Sequence, residues 1–423
     1  MMSRHMFKVS MASCALGAVI LLAASAASAQ TPPSQVLTLP ALLKLVAERS
    51  PRLAVEQVAI DAAEADRVTA GAFPNPHIAY GRFRPGGGAS TLFTGNLQQQ
   101  TTIDLPLLIT GQRGARIDAA DLGVAAARAR FGAAGNDLGL QAAQLFNGLQ
   151  AAQEKAALLQ DAMRETQRIV DIVSGRLQAG AASRYDLARV EVELEGLKQK
   201  LADARGESAD RAASLATLLG LAGWRPVAEG TARLSGVPPD GAALRDAANT
   251  RNAQLVAARR DVDLADAAVR RTEAESWPVP VLSLGRTWTS EPFGAANFIG
   301  LSAEIPLPDA RYGAKARAAA DLRAAQRRLA AVEAELGGEI ERVAEGLRLR
   351  ADAWARFQRA VAERMPALRQ MSEDAYRLGR APILDMLDAG RSRLDALLTE
   401  LELRAGAAEQ ELRLLALTGR LGS

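Results

Sequence analysis

Residue types that perform covalent or metal chemistry are scarce in this sequence. It has one cysteine, Cys14, and two histidines, of which His77 lies in the body of the chain and His5 at its start. A metal site needs several such ligands close together, and a nucleophile–base pair needs a partner that His77 lacks nearby. The glycines at 86–88 are followed by no Lys-Ser/Thr pair and open no helix, so they predict a turn and not a phosphate loop. We therefore expect no enzyme, no catalytic residue, no cofactor and no metal site.

Two aspartates have a spacing that suggests a structural role. Asp186 follows Gly180 by six residues, and Asp385 follows Gly379 by the same interval. A glycine can end a helix in the left-handed conformation, and an aspartate can cap the helix that comes next. The spacing predicts two helix–turn–helix tips with an aspartate at the start of each returning helix.

The N-terminus reads as an export signal. Arg4 and Lys8 precede an apolar stretch at 15–27, and Ala27-Ser28-Ala29 is typical of a cleavage site. The alternative, an uncleaved anchor, is disfavoured because the stretch is too short to span a bilayer. Cys14 comes too early for a lipoprotein signal, although lipidation stays open. We predict a signal peptide at 1–29 and an exported product.

Bulk composition excludes further classes. The net charge is +3 and only 4% of the residues are aromatic, which argues against a nucleic-acid partner. After the signal, no apolar stretch of about 18 residues remains that could form a membrane-spanning helix. This leaves a periplasmic protein or one that enters the outer membrane through strands.

Four sequence matches recur in the same order about 200 positions apart, which indicates a tandem duplication. The matched pairs are Phe73-Pro-Asn-Pro with Trp277-Pro-Val-Pro, Asp104-Leu-Pro-Leu with Glu304-Ile-Pro-Leu, Gly180 and Asp186 with Gly379 and Asp385, and Arg49-Ser50 with Arg251-Asn252. We predict a first repeat at 30–222, a connector at 223–242 and a second repeat at 243–423.

Each repeat is predicted to contain the same elements. One helix opens it, from Leu39 to Ala70 or from Ala242 to Ser276. A β-hairpin follows, at 77–106 (strands 77–84 and 91–105) or 280–307 (strands 281–290 and 296–307), and a long helical hairpin closes it, at 111–220 or 309–418. The first arms, 111–179 and 309–378, would each be about 100 Å long. Prolines mark the junctions of the hairpins: Pro74, Pro76, Pro106, Pro278, Pro280 and Pro306.

The strand count predicts an oligomer. The fold class is mainly α with a small β part, and four strands cannot close a barrel without leaving backbone groups unpaired in lipid. Copies of the chain must then share one. Three copies give twelve strands and leave room for an aqueous lumen. We expect a homotrimer with a twelve-stranded β-barrel in outer-membrane lipid and a twelve-helix α-barrel in the periplasm.

This pattern resembles the TolC family of outer-membrane efflux proteins over nearly all of the chain that follows the signal. The PNP segment after Phe73, with Gly111-Gln112-Arg113-Gly114-Ala115-Arg116, is similar to the heavy-metal, CzcC-like branch, although Gln112 replaces the usual lysine. Pro366 and the second tip, with Tyr376, Gly379, Asp385 and Leu387, also fit the family. The resemblance implies a trimeric exit duct that works with an inner-membrane RND pump and a periplasmic adaptor.

The resemblance also implies roles for particular residues. The tips would dock the adaptor, through Arg176, Leu177, Gly180, Asp186, Leu187, Gly379, Leu384 and Asp385. Glu373 and Asp374 would form an acidic ring at the periplasmic entrance, unless they are simply a solvated helix face. Pro366 would kink the helix near that entrance, unless the kink is merely accommodated.

The predicted function is thus passive efflux across the outer membrane, with divalent heavy-metal cations as the expected substrate. A duct for organic toxicants or for type I protein secretion is an alternative. A soluble periplasmic coiled-coil adaptor or scaffold is an alternative of another class, but it does not explain the paired, proline-flanked hairpins.

Overall fold

A computed structural model describes residues 36–83, 98–230, 240–289, 294–305, 309–362, 364–378 and 380–421. The predicted signal peptide at 1–29 lies outside these ranges. Among the helices within them, none combines the length and the apolar character that crossing a bilayer would need.

Each repeat opens with two helices, and the single helices expected from Leu39 to Ala70 and from Ala242 to Ser276 are broken. The observed helices are α1 (Leu39–Arg49), α2 (Pro51–Gly71), α5 (Gly241–Arg251) and α6 (Ala253–Ala274). The first break precedes Pro51, which disfavours helical backbone in the residue before it. At the second break the Asn252 side chain accepts the backbone N–H of Leu255 at 2.9 Å and so caps α6.

A two-stranded parallel pair adjoins the connector. Strand β1 (Val36–Leu37) pairs with β4 (Val227–Ala228), and neither strand was predicted. Leu37 is buried in the first hydrophobic core, together with Leu42 and Val46. The pair therefore holds the start of the described chain against the helices.

The main sheet has four antiparallel strands in the order β2-β3-β5-β6. The strands are β2 (His77–Phe83), β3 (Gln98–Pro106), β5 (Pro280–Thr289) and β6 (Gly294–Ala303). The two hairpins join through β3 and β5, so one continuous sheet contains strands of both repeats. Within the described residues, the outer edges of β2 and β6 have no strand neighbour.

The register sorts the side chains of this sheet onto two different faces, because successive residues of a strand point in opposite directions. One face carries rows of large apolar side chains, such as Ile78, Ile103, Leu284 and Ile299 in register across all four strands. We call it the apolar face. The other, the polar face, carries mostly small or polar residues. On it Phe298 lies over Gly285, where an added Cβ would meet the ring at 2.0 Å.

Long helices continue from the sheet. They are α3 (Gln112–Gln178, 67 residues) and α4 (Arg184–Leu218) in the first repeat, and α7 (Tyr312–Phe357), α8 (Met365–Arg377) and α9 (Ile383–Leu417) in the second. At about 1.5 Å per residue, α3 is about 100 Å long. The corresponding second arm was predicted from Asp309 to Leu378, with a kink at Pro366. It is interrupted before that proline, by a π-helical turn at Gln358–Ala362.

The helices pack side by side. Near the sheet the main contacts run in the order α2, α3, α6, α7, and farther away in the order α4, α3, α9 and then α7 with α8. Each level therefore holds four helical segments. Equivalent hydrophobic cores support the two repeats, since Leu42, Val46 and Leu53 in one correspond to Leu244, Ala248 and Leu255 in the other.

Candidate functional site

The first helical tip is closed by a dense set of hydrogen bonds. Gly180 adopts a φ of 73° and donates to the Leu177 carbonyl at 3.0 Å, while the Ala181 N–H donates to the Arg176 carbonyl at 2.7 Å. This is the glycine-dependent ending that the sequence predicted. The tip exposes Gly180 to solvent and leaves Leu177 half-buried.

Asp186 starts the returning helix through a capping box. Its carboxylate accepts the Ser183 N–H at 3.0 Å and the Ser183 hydroxyl at 2.8 Å, and Ser183 Oγ accepts the Asp186 N–H. The backbone hydrogen bond from Ser183, followed by its hydroxyl, lowers the pKa of Asp186 below the usual value of 3.8. Leu187 is half-buried against the core at the tip. The carboxylate is therefore committed to the helix start, although it lies at the surface.

The returning helix of the second tip starts differently. Its N-cap is Pro382, which offers no hydroxyl, and no side chain caps α9. Asp385 could have capped this helix by analogy with Asp186, but it only donates its backbone N–H to the Pro382 carbonyl at 3.2 Å. Asp385 is exposed and Leu384 half-buried. Gly379 lies outside the described residues.

Arg176 joins the two tips. Its guanidinium donates to the Tyr376 carbonyl at 3.3 Å and lies 4.9 Å from the centre of the Tyr376 ring. Tyr376 is buried in a small core with Val173 and Val190. Arg176, which was predicted to contact an adaptor, therefore also holds the two repeats together.

The two entrance acids face different surroundings. Glu373 lines a cavity of about 80 Å³ enclosed by α3, α4, α8 and α9, together with Glu193 and Arg391. Asp374, one residue on, is exposed. Adjacent helical residues point about 100° apart, so the two carboxylates do not share one surface. Pro366 lies in the first turn of α8, where its missing N–H is tolerated.

Ion pairs join the two repeats, both beside this cavity and farther along the same helices. In each pair an acid of α3 or α4 meets an arginine of α9: Glu154 with Arg404, Glu165 with Arg393 and Glu193 with Arg391. We call this set the inter-repeat seam. The hydrogen bond from Arg391 lowers the pKa of Glu193 below 4.5, although burial opposes it. The sequence showed the charges but could not show which helices would meet.

The segment from Gly111 to Arg116 lies at the junction between the helices and the sheet, and its contacts there give it a structural role. Gly111 has a φ of 82°. Arg113 donates to the Gly71 carbonyl at 2.9 Å and lies 4.7 Å from the centre of the Phe73 ring. Arg116 binds Glu275 at 2.9 Å. The motif therefore fastens the start of α3 to the ends of α2 and α6.

Glu275 is the centre of this junction. Arg116, Arg271 and Arg311 all lie within salt-bridge distance of its carboxylate. Burial alone would raise the pKa of Glu275, but hydrogen bonds from Arg116 and Arg271 outweigh that effect and lower it. The sequence analysis missed this residue, because nothing local distinguishes it from other helical glutamates.

The described junction prolines lie at strand ends or in the segments that lead from a helix to a strand. Pro106 ends β3 and Pro280 begins β5, where proline disturbs the ladder least. Pro74 and Pro76 lie between α2 and β2, and Pro278 lies between α6 and β5. Pro306 is outside the described residues.

Comparison with known proteins gives a family match over part of the chain. Residues 42–221 match the family described as Outer membrane efflux protein. The predicted resemblance to outer-membrane efflux proteins is confirmed over this range.

A curated relative is a metal-resistance protein. The chain is similar to the cobalt-zinc-cadmium resistance protein CzcC of Cupriavidus metallidurans, with 26% identity over 282 residues. The match covers 66% of this chain and 65% of the relative, which is less than two thirds of its length.

Solved structures of membrane channels share the fold. CusC superimposes with a TM-score of 0.71 and 19% identity, covering 90% of this chain and 92% of the other. The outer-membrane channel CmeC of Campylobacter jejuni gives a TM-score of 0.74 and 15% identity, covering 91% of this chain and 86% of the other. The predicted fold class, mainly helical with a small β part, is confirmed.

Proposed function

We propose that three copies of this chain form a passive exit channel of an efflux system in the outer membrane. The four-stranded sheet is the observation that carries this proposal. It has one apolar face and two outer edges, on β2 and β6, that have no strand neighbour among the described residues. In lipid such edges must be paired, and a ring of three sheets would pair every edge and close twelve strands.

The helices support the same number of copies. Four helical segments lie side by side at each level, so three copies bring twelve. The helices at the ends of the row expose apolar side chains, among them Val55, Val58 and Val68 on α2 and Val192 on α4. Apolar side chains on the outer helices would be buried if another copy of the chain packed beside them. The open sides of the row would then be covered by neighbouring copies.

The partners follow from the same architecture. The tips lie at the end of the molecule farthest from the sheet, so an adaptor on an inner-membrane RND pump would reach them first. The contact residues would be the exposed or half-buried members of the tips, with Asp385 available at the second tip and Asp186 already engaged in its cap. Asp374 would contribute to an acidic entrance ring, with the interrupted helix at Pro366 beside it.

The cargo class we propose is divalent heavy-metal cations. The support is the similarity to a cobalt-zinc-cadmium resistance protein, together with the junction motif around Arg113 and Arg116. No described group of three or more His, Cys, Asp or Glu residues could hold a metal ion. The channel would therefore conduct cations without a chelating site in any one copy.

Deletion of the gene tests the function and the cargo together. Cells would be challenged with Co²⁺, Zn²⁺, Cd²⁺, Ni²⁺, Cu²⁺ and Ag⁺ and, in parallel, with dyes and antibiotics. We expect increased sensitivity to metals alone, reversed by a plasmid copy but not by the empty plasmid. Sensitivity to organic compounds alone would overturn the metal assignment and keep the channel. Loss of a secreted protein without either sensitivity would replace efflux by secretion.

A further inference from the structure

Charge is distributed unevenly over the two faces of the sheet. Among the residues of β2, β3, β5 and β6, Asp104 is the one carboxylate. The register aligns it with His77 on one side and Ser283 on the other, which places all three on the polar face. The two arginines of the strands lie on the apolar face. Arg82 shares a cross-strand row with Trp288, and Arg286 shares one with Tyr80, in each case through the β3 residue between them.

The Asp104 carboxylate is held in place but is not neutralised by a described arginine or lysine. Ser283 Oγ donates to Asp104 Oδ1 at 2.6 Å. His77 Nδ1 lies 3.4 Å from Oδ2, and its ring is largely exposed. The Asp104 side chain itself is 30% exposed. A carboxylate fixed by a hydroxyl and open to solvent acts on ions that pass it.

We infer that Asp104 gives the channel its preference for cations within the membrane. This inference rests on the trimeric channel proposed above, in which the polar face lines the lumen and three copies of Asp104 form a ring. Such a ring attracts cations and repels anions over about 8 Å at physiological salt. A conducting path also requires that ions bind weakly enough to leave, and each copy would offer one carboxylate rather than a chelating group.

The position of the ring distinguishes it from the entrance acids. Asp104 lies two residues before the end of β3, close to the helix junction, whereas Asp374 lies near the tips at the other end of α3. Glu304 is the equivalent of Asp104 in the second repeat, but it follows the end of β6 and lies outside the ladder. The register therefore assigns a face to Asp104 and not to Glu304.

Ion selectivity in planar lipid bilayers tests the inference. Purified protein would be reconstituted under a KCl gradient, and the reversal potential would give the permeability ratio of K⁺ to Cl⁻. We expect a cation-selective wild-type channel, a ratio that falls toward one in Asp104→Asn, and a ratio that is retained in Asp104→Glu. Ser283→Ala is the matched control, since it removes the hydrogen bond and keeps the charge, so it should remain cation-selective.

The outcomes separate the inference from the proposed function. Channels whose selectivity is unchanged by Asp104→Asn but is lost in Asp374→Asn would overturn the inference and place the selective ring at the entrance. Wild-type protein that forms no channel would overturn the proposed function itself. Because the selectivity of each variant is read from open channels, a variant that fails to fold cannot imitate either result.

Discussion

Equivalent residues of the two repeats make different hydrogen bonds, as the aspartates at the two tips show. Asp186 and Asp385 occupy matching positions, yet Asp186 completes a capping box with Ser183 while Asp385 follows Pro382 and caps nothing through its side chain. A capping side chain contributes about 1 kcal/mol to the start of a helix. The duplication has therefore left one tip fastened by its aspartate and the other aspartate exposed.

This difference predicts unequal effects of the same substitution. In Asp186→Ala the amides of the first turn of α4 should exchange with solvent about fivefold faster, as expected for a loss of about 1 kcal/mol. Hydrogen–deuterium exchange resolved by peptide would measure it. Asp385→Ala is the matched control and should leave exchange at the start of α9 unchanged. Equal acceleration at both tips would contradict the capping assignment.

At the scale of elements, the inter-repeat seam joins helices that come from different halves of the duplication. One ion pair of this seam joins Glu193 on α4 to Arg391 on α9, and both residues line the cavity near the tips. The hydrogen bond from Arg391 lowers the pKa of Glu193 from the usual 4.5. A carboxylate with a lowered folded-state pKa stabilises the protein above its unfolded pKa, and that contribution is lost as pH falls through the folded value.

Stability should therefore fall in acid, and Glu193 should contribute to the fall. Between about pH 5 and pH 3 the melting temperature of the wild type should decrease more than that of Glu193→Gln, which lacks the titrating group. Glu345→Gln is the control. The pKa of Glu345 is also lowered, but by a hydrogen bond from Arg348 on the same helix, away from the seam. Wild-type and Glu193→Gln curves of the same pH dependence would contradict the role of the seam.

The sequence predicted elements well where their ends carry a local signal. Gly180 and the prolines at the strand ends lie where glycine and proline chemistry requires them. The breaks at Ser50 and Asn252 were missed although both residues stood in a recognised repeat match, because a serine before proline and an asparagine were taken as helix interior. The π-helical turn at Gln358–Ala362 was missed for a different reason. Pro366 lies in the first turn of the helix that resumes at Met365 and gives no signal for the turn before it.

Contacts between elements were beyond the reach of the sequence. The seam, the Glu275 junction and the pairing of Arg176 with Tyr376 join residues far apart in the chain. Predicting them needs the order of the helices, which periodicity alone leaves open. Asp104 had been noted as a mark of the duplication, but its face became definite only with the register of β3 against β2 and β5.

At the scale of the whole molecule, we propose a trimer because one chain leaves both its sheet and its row of helices incomplete. The sheet is apolar on one face and unpaired at both described edges, and the row of helices is open at both ends. Three strand spacings, about 14 Å, separate β2 from β6 within one chain. That is too far for a disulfide, whose Cα atoms lie within about 7 Å. A bond between these edges must therefore join two copies.

Disulfide trapping of the two edges tests the trimeric channel most directly. No cysteine follows Cys14 in the sequence, so native cysteines in the sheet do not interfere. Ala79→Cys on β2 would be combined in turn with Ala296→Cys, Gly300→Cys or Ser302→Cys on β6. The three partners sample different registers between β2 of one copy and β6 of the next. After oxidation in outer membranes, denaturing non-reducing gels should show, for at least one pair, monomer, dimer and trimer with trimer as the largest species. The single-cysteine variants should give no trimer, and reduction should restore the monomer. Failure of every pair to cross-link, or a ladder that extends beyond three copies, would contradict a closed ring of three chains.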